Sequence, residues 1–472
     1  MSSAGSPRWT DAAAVVAAKI TVSAVVLWTG FRAISDDDYS RIVIAQGFAA
    51  SPQLDPSGTS WLPFPFYVHG IAHALFGMGL EVARGTALTL GVCSALLAWG
   101  AARVLGASRL SALLGAALAA AFPYSAWLGV ATVPEALTAG LVVFGAATLT
   151  RSEQRLRIAG GLALYAACFS RYEAWPVALV FALLTASDAR RTRGLWPAVP
   201  VALGAPVLWL LHGVFIHGNA LFFVDRVTSY RAALGGAEAS FLERLTWYPL
   251  ALLRSEPELA VLSLMALFSA RLARLGPELV AYRRLFLCLA CLLLFLVVGS
   301  LRGGVPTHHA ERALLAIWFG QALFSLDVFV RAWSAFVGRA RLVLVIATVL
   351  ELAGALALRQ FVTQREPFSH RDAELDIGRE ARLLGVPRLL VATDDYGYFA
   401  VQASFGAPAR SRALVTHDPR QALERDPFAS GTLQPLLDGA WLIAPRRHET
   451  ELRQLGQIAA RNESFVLLEA RR

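Results

Sequence analysis

Long apolar runs recur along almost the whole of this sequence. Hydrophobic residues make up 56% of its 472 residues and charged residues 16%, with a mean hydropathy of +0.52. A helix of about 20 apolar residues spans a bilayer, and about eleven runs reach or approach that length. The pattern predicts an all-α polytopic membrane bundle. The runs are 12–34, 83–105, 109–123, 127–149, 157–170, 172–187, 195–216, 255–273, 284–301, 312–331 and 341–359.

Basic residues collect in alternate connections between these runs. Cationic loops are retained on the cytoplasmic side, so they predict an inner-membrane protein with a cytoplasmic N-terminus. The 35–80 connection and everything after Gln360 then face the periplasm. The net charge of +9 follows from this bias, and no nucleic-acid-binding motif occurs. The markers are Arg8, Lys19, Arg103, Arg109, Arg151, Arg155, Arg157, Arg190, Arg191, Arg193, Arg271, Arg274, Arg283, Arg284, Arg331, Arg339 and Arg341.

The composition after Gln360 becomes that of an ordinary globular protein. We expect two domains, a transmembrane domain over 1–360 and an extracytoplasmic soluble α/β domain over 361–472. Apolar β-rich runs predict strands, and two other segments predict helices. The strands are 388–393, 440–444 and 464–468, and the helices are 402–405 and 449–461.

Cysteine and histidine give little sign of a metal or redox centre. All four cysteines lie inside apolar runs, which argues against a disulfide framework. His69 and His73 are four residues apart, a spacing that metal sites use, but no H-E-x-x-H pattern includes them. We therefore predict no metal ligand, although a divalent cation could still assist the chemistry. The chain has no nucleotide-binding loop, which argues against a nucleotide-sugar substrate.

Three consecutive acids, Asp36, Asp37 and Asp38, follow the first apolar run and precede Tyr39. One interpretation is structural, because Ser35 and Asp38 have the spacing of a capping box. The other is functional, because ionisable groups at a membrane boundary are costly unless they act on something. The following segment, 57–67, is rich in proline and aromatic residues and suits the headgroup layer.

Taken together, these motifs resemble those of the GT-C superfamily of membrane glycosyltransferases, in particular its mannosyltransferase-like and arabinosyltransferase-like members. The D-D-x-Y-type signature appears as Asp36–Tyr39, and a T-S-x-L-like stretch follows at 59–63, with Trp61 where proline is usual. Further matches are the P-E motif at 134–135, an R-x-E-x-W turn at 171–175, an H-x-E-R element at 309–312 and an aspartate-rich stretch at 394–399.

The resemblance implies transfer of a sugar from a polyprenyl-phosphate donor to an acceptor hydroxyl, with inversion at the anomeric carbon. Asp36 or Asp37 would be the general base, and Arg171 and Arg312 are the candidates for binding the leaving phosphate. The acceptor could be a lipid, a glycan or a protein. The remaining predicted substrate-binding residues are Asp38, Arg41, Trp61, Glu135, Glu173, His308, His309 and Glu311.

Two other functions remain open. A transporter or flippase of a lipid-linked sugar would carry polar or broken helices near the midplane and repeat symmetry, neither of which is visible. A structural or assembly protein would leave the acid cluster and the arginines opposite it without a role. The position of all charged candidates at one interface favours the enzyme.

Overall fold

The computed structural model describes residues 9–233, 240–276, 278–303, 309–362, 368, 370–417, 428, 433 and 439–471. Up to Val362 these residues form a helical bundle. The bundle helices are α1 Trp9–Trp28, α2 Asp36–Ala50, α3 Phe64–Phe76, α4 Leu80–Val104, α5 Arg109–Ala121, α6 Pro123–Leu128, α7 Glu135–Thr148, α8 Gln154–Cys168, α9 Trp175–Ala189, α10 Ala198–His217, α11 Phe222–Ala233, α12 Phe241–Ser255, α13 Pro257–Leu272, α14 Tyr282–Leu301, α15 Leu315–Ala335 and α16 Arg339–Val362.

Among the described residues, five segments are long and apolar enough to cross a membrane, and three shorter apolar helices accompany them. This describes a multi-pass membrane protein and confirms the predicted class. The five segments are Trp9–Trp28, Leu80–Val104, Arg193–His217, Leu279–Leu301 and Ala310–Ala335. The shorter helices are Arg109–Ala121, Glu135–Thr148 and Ala174–Ala189.

Two predicted runs differ from the observed helices. The run 127–149 is not one helix, because α6 ends at Leu128 and α7 begins only at Glu135. Pro134 disfavours helical geometry in the residue before it, which explains the interruption. The run 12–34 ends its helix at Trp28, and Gly30 then takes a φ of +89°, a value that glycine adopts readily.

Small residues bring the bundle helices close together. At Gly140 of α7, an added Cβ would lie 2.9 Å from the Cα of Ser94 in α4, so only glycine fits at this crossing. Close backbone approach through Gly, Ala and Ser is the usual packing mode where lipid supplies no hydrophobic drive between helices. The alanine-rich sequence of these helices therefore specifies packing as well as hydrophobicity.

Several arginine-bearing connections meet at one end of the bundle. Arg151 Nε donates to the carbonyl oxygen of Val104 at 2.8 Å, and Arg331 Nη2 donates to that of Gly106 at 3.0 Å. We call this the arginine-loop end, and the opposite end, where α2 begins, the α2 end. Lys19 does not belong to the arginine-loop end as the sequence suggested. It is buried within α1, where its Nζ donates to the Ser125 carbonyl oxygen at 3.3 Å.

The C-terminal residues form an α/β unit around a five-stranded sheet of order β2-β1-β3-β5-β4. Strands β1, β2 and β3 are parallel, and β5 is antiparallel to β3 and β4. The helices are α17 Asp372–Leu383, α18 Tyr398–Phe405 and α19 Glu449–Leu452, and the strands are β1 Leu389–Val391, β2 Ser411–Ala413, β3 Trp441–Pro445, β4 Gly456–Arg461 and β5 Phe465–Ala470.

All three predicted strands and the helix at 402–405 are therefore present. The predicted helix over 449–461 is wrong beyond Leu452, because 456–461 forms β4. This strand lies at the edge of the sheet and alternates in burial over most of its length. Its paired alanines hide that alternation in the sequence.

Helix α2 lies between the bundle and the α/β unit. Ile42 of α2 packs in an apolar cluster with Leu375 of α17 and Ala403 of α18. Gln46 is fully buried, and its Nε2 donates to the carbonyl oxygens of Met78 and Ala403 at 2.8 and 3.0 Å. The helix that carries the three acids is thus held from both sides.

Candidate active site

Five charged side chains from four separate segments meet at the α2 end of the bundle. Their charges alternate in the order Asp37, Arg312, Glu135, Arg171, Glu173. We call these five residues the carboxylate–arginine cluster. All five were predicted site residues, and the structure brings them together from positions up to 275 residues apart.

Glu135 is the centre of this cluster. It is the first residue of α7 and is 1% exposed. Its Oε1 accepts hydrogen bonds from Arg312 Nε at 2.9 Å and Nη2 at 2.8 Å, and from Arg171 Nη1. Arg171 also pairs with Glu173 through its Nε. One buried carboxylate therefore holds two guanidinium groups in fixed positions, as charge-assisted hydrogen bonds do.

Asp37 is the open edge of the cluster. Its Oδ2 accepts a hydrogen bond from Arg312 Nη1 at 3.0 Å, and its side chain is 42% exposed, whereas that of Arg312 is 6% exposed. Within the described ranges, no hydrogen bond to Asp37 Oδ1 is formed. Asp37 therefore combines one anchored oxygen with one oxygen open to a ligand.

Asp38 serves the backbone. Its Oδ2 accepts hydrogen bonds from the N–H groups of Ile34 at 3.1 Å and Ser35 at 3.4 Å, and its Oδ1 accepts from the N–H of Thr132 at 2.9 Å. Burial raises the pKa of Asp38, and the hydrogen bond from Thr132 opposes that rise. The predicted capping by Asp38 is confirmed. With both oxygens occupied, the geometry favours this structural role over contact with a substrate.

Asp36 points to the α/β unit. Arg371, the residue before α17, holds it with two hydrogen bonds, from Nε to Oδ1 at 2.9 Å and from Nη2 to Oδ2 at 2.7 Å. No local pattern in the sequence pointed to Arg371, which is 335 residues away from Asp36. The two aspartates that the sequence treated as equivalent are thus paired with different arginines, one from each part of the chain.

Arg41 differs from the other arginines at this end. It is 7% exposed, and its guanidinium lies over the rings of Trp61 at 4.2 Å and Phe66 at 5.6 Å from the ring centroids. In the part of the chain that the structure describes, its Nε has no hydrogen-bond partner and no carboxylate pairs with it. Burial lowers the pKa of Arg41 to about 10, while the nearby charges of Glu135 and Asp37 raise it. The side chain therefore stays cationic at neutral pH.

A narrow apolar cleft adjoins Arg41. Phe64 and Val68 of α3, Leu90 of α4 and Leu137 of α7 line it. A smaller cavity that includes Arg41 and Thr132 shares Pro65 and His69 with this cleft. The guanidinium of Arg41, which forms no ion pair with a described residue, thus lies at the polar edge of this apolar cleft.

The predicted histidines have different positions. His69 lines both cavities, and burial lowers its pKa to about 3, so it is neutral. His309 lies in the turn before Arg312, with its Nδ1 3.5 Å from Glu311 Oε1. His308 lies outside the described residues. Among the residues that are described, no group of three or more His, Cys, Asp or Glu side chains could hold a metal ion.

The sequence has no match among protein-family models, and no curated protein matches it. Its structure, however, shares its fold with a solved polytopic membrane protein.

One solved structure with a similar fold is the crystal structure of ArnT from Cupriavidus metallidurans bound to undecaprenyl phosphate. The two share a TM-score of 0.55 at 14% identity, over 96% of this chain and 97% of that chain. ArnT from the same organism in the apo state gives a TM-score of 0.45 at 15% identity, over 95% and 96% of the two chains. At 14% identity, the similarity to the undecaprenyl-phosphate-bound structure shows a shared fold.

Proposed function

We propose that this protein is an inverting glycosyltransferase that moves a sugar from a polyprenyl-phosphate donor to an acceptor hydroxyl. The observation that carries the proposal is the meeting of three features at the α2 end. These are the half-open carboxylate of Asp37, the buried guanidinium of Arg41, which forms no ion pair with any described residue, and the apolar cleft that adjoins it. The ArnT structure with bound undecaprenyl phosphate supports the same class of donor.

We assign the general base to Asp37. The acceptor oxygen attacks the anomeric carbon, the bond between that carbon and the phosphate oxygen breaks, and the hydroxyl proton passes to Asp37 Oδ1. Polyprenyl phosphate leaves with the negative charge, and the anomeric centre inverts in this single displacement. Arg312 keeps Asp37 oriented through Oδ2. Asp36 is the weaker candidate because Arg371 occupies both of its oxygens.

We assign the donor phosphate to Arg41 first. Arg171 and Arg312 already form ion pairs with carboxylates, whereas Arg41 is buried and forms no ion pair among the described residues, although the charges of Glu135 and Asp37 are near. A buried charge without a partner is costly, and a phosphate would remove that cost through charge-assisted hydrogen bonds. The polyprenyl chain would lie in the apolar cleft next to it. Trp61 contributes the ring over which the guanidinium of Arg41 lies.

The test is transfer of labelled sugar from a panel of polyprenyl-phosphate sugars in proteoliposomes. Asp37→Asn should reduce kcat by on the order of 10²- to 10⁴-fold, the contribution typical of a general base, while undecaprenyl phosphate still binds. The control is Asp376→Asn, which changes an exposed carboxylate of α17. It should transfer sugar like the wild type.

Each other outcome has a defined meaning. Undiminished transfer by Asp37→Asn would remove this residue as the base. If the wild type transfers no sugar from any donor but moves the carrier between leaflets, the flippase hypothesis would replace the transferase hypothesis. The same vesicles test the predicted periplasmic position of the α/β unit, since protease should cleave that unit only from its own side of the membrane.

A further inference from the structure

The α/β unit contributes a side chain at the edge of the candidate active site. Arg371 is 17% exposed, and its guanidinium contacts three carboxylates. Two hydrogen bonds go to Asp36, and Nη1 contacts Glu374 at 3.0 Å and Asp395 at 2.9 Å. Glu374 and Asp395 belong to the α/β unit itself, so contacts within that unit hold the Arg371 side chain in the position from which it bonds to Asp36.

The first turn of α2 is thereby held by two arginines. Arg312, which precedes α15 in the bundle, holds Asp37, and Arg371 holds Asp36. Successive residues of an α-helix point about 100° apart, so the two arginines act on different faces of the same turn. Together they fix the rotation of α2 about its axis, which decides which carboxylate faces the cleft.

The rest of the interface with the α/β unit lies on another part of α2. Gln46, almost three turns further along, bonds to the Ala403 carbonyl oxygen, and Ile42 packs against Leu375. These contacts dock the two parts of the chain, and Arg371 is the contact that reaches the acids. Loss of Arg371 alone therefore leaves most of the docking surface in place.

We infer that Arg371 is a positioning residue of the active site, which keeps Asp36 turned away so that Asp37 alone is presented to the acceptor. The inference rests on the proposed transferase function. Without Arg371, Asp36 loses this bidentate pair and competes for Arg312, and the carboxylate of Asp37 loses its fixed orientation. Misplacement of a reacting group by about 1 Å can cost on the order of 100-fold in rate. The α/β unit is then a component of catalysis and not only an attached domain.

The experiment measures kcat and donor KM for the full chain in proteoliposomes. We expect Arg371→Ala to lower kcat by about 10- to 100-fold with donor KM within about 2-fold of the wild type. Asp36→Asn should lose a smaller factor, because it breaks the same pair but leaves no second carboxylate to compete for Arg312. The double variant should be no worse than the more impaired single variant, because both substitutions break one interaction. Arg371→Lys, which keeps the charge but not the bidentate geometry, should recover part of the rate.

The matched control is Arg447→Ala. Arg447 also pairs with an aspartate of the α/β unit, Asp394, but both side chains are more than half exposed and lie in that unit alone. This variant should keep wild-type kcat. Limited proteolysis of each variant reports whether the α/β unit stays docked.

Wild-type kcat in Arg371→Ala, or fully additive losses in the double variant, would overturn the inference. A loss of kcat that follows undocking in proteolysis would also overturn it, since Arg371 would then act only on stability. If Asp37→Asn is inactive and Arg371→Ala is normal, the proposed function stands and this inference fails. If the wild type transfers no sugar from any donor, both fail.

Discussion

Two buried arginines at opposite ends of the bundle have contrasting surroundings. Arg157, at the arginine-loop end, is 1% exposed, and its terminal nitrogens contact Thr185, Asp188 and two backbone carbonyl oxygens. Arg41, at the α2 end, is nearly as buried, but its guanidinium lies over aromatic rings and forms no ion pair in the described structure.

The difference shows which buried charges indicate a ligand. Buried ion pairs occur at both ends, and at the arginine-loop end Arg284 also binds Asp188 with both of its terminal nitrogens. Such a network, in which Arg157 and Arg284 both pair with Asp188, stabilises or specifies the fold. The informative feature at the α2 end is an incomplete network. The carboxylate of Asp37 has one open oxygen, and the guanidinium of Arg41 forms no ion pair among the described residues.

The largest effect should come from Glu135→Gln. This change removes the charge that Arg171 and Arg312 share and leaves each of these two guanidinium groups with one carboxylate in place of two. Breaking a buried pair in this way costs about 3 to 5 kcal/mol. Chemical unfolding in detergent should show that loss, and transfer should be abolished. An unchanged unfolding midpoint would mean that the charge of Glu135 is not needed to hold the arginines.

The next effect separates the two ends. Asp188→Asn at the arginine-loop end should destabilise the protein by about 1 to 3 kcal/mol, less than a fully buried pair because Asp188 and Arg284 are partly exposed. Transfer per folded molecule should stay at the wild-type level. Reduced kcat at equal folded protein would show that the arginine-loop end takes part in the reaction.

Arg41→Met sharpens the contrast further. Because Arg41 has no anion partner, replacing it with an apolar side chain should leave stability unchanged or raise it slightly. Binding of undecaprenyl phosphate should weaken by about 10- to 100-fold, as expected when a charge-assisted hydrogen bond of about 1.5 to 3 kcal/mol is lost. The matched variant, Arg157→Met, should destabilise the fold and leave binding intact. Equal binding in both variants contradicts the assignment.

The smallest effect concerns His69, which lies near Arg41 in the same cavity. Burial first, and then the charges of His73 and Arg41, lower its pKa to about 3. The unfolded chain takes up a proton below about pH 6.5 and the folded chain does not, so stability falls as the pH falls. At pH 5.5 the loss should be about 1 kcal/mol relative to neutral pH. His69→Gln should remove this part of the pH dependence, measured by unfolding at both pH values.

Much of the architecture could be predicted because the bilayer constrains each helix locally. The apolar runs, the cap at Asp38 and the strands of the α/β unit depend on residues close together in sequence. The pairing of Arg312 could not be predicted in this way. Arg312 binds Glu135 across 177 residues, and Arg371 reaches Asp36 across 335. Helix packing decides those pairs.

The buried lysine of α1 has a consequence for biosynthesis. α1 leaves the ribosome before the rest of the bundle, with Lys19 near its centre. A lysine there costs roughly 2.5 to 3.5 kcal/mol in the insertion of an isolated helix. The carbonyl oxygen that accepts the hydrogen bond of Lys19 belongs to Ser125, which is made 106 residues later. Stable integration of the first helix thus depends on arrival of the sixth, so the membrane topology is completed cooperatively and not one helix at a time.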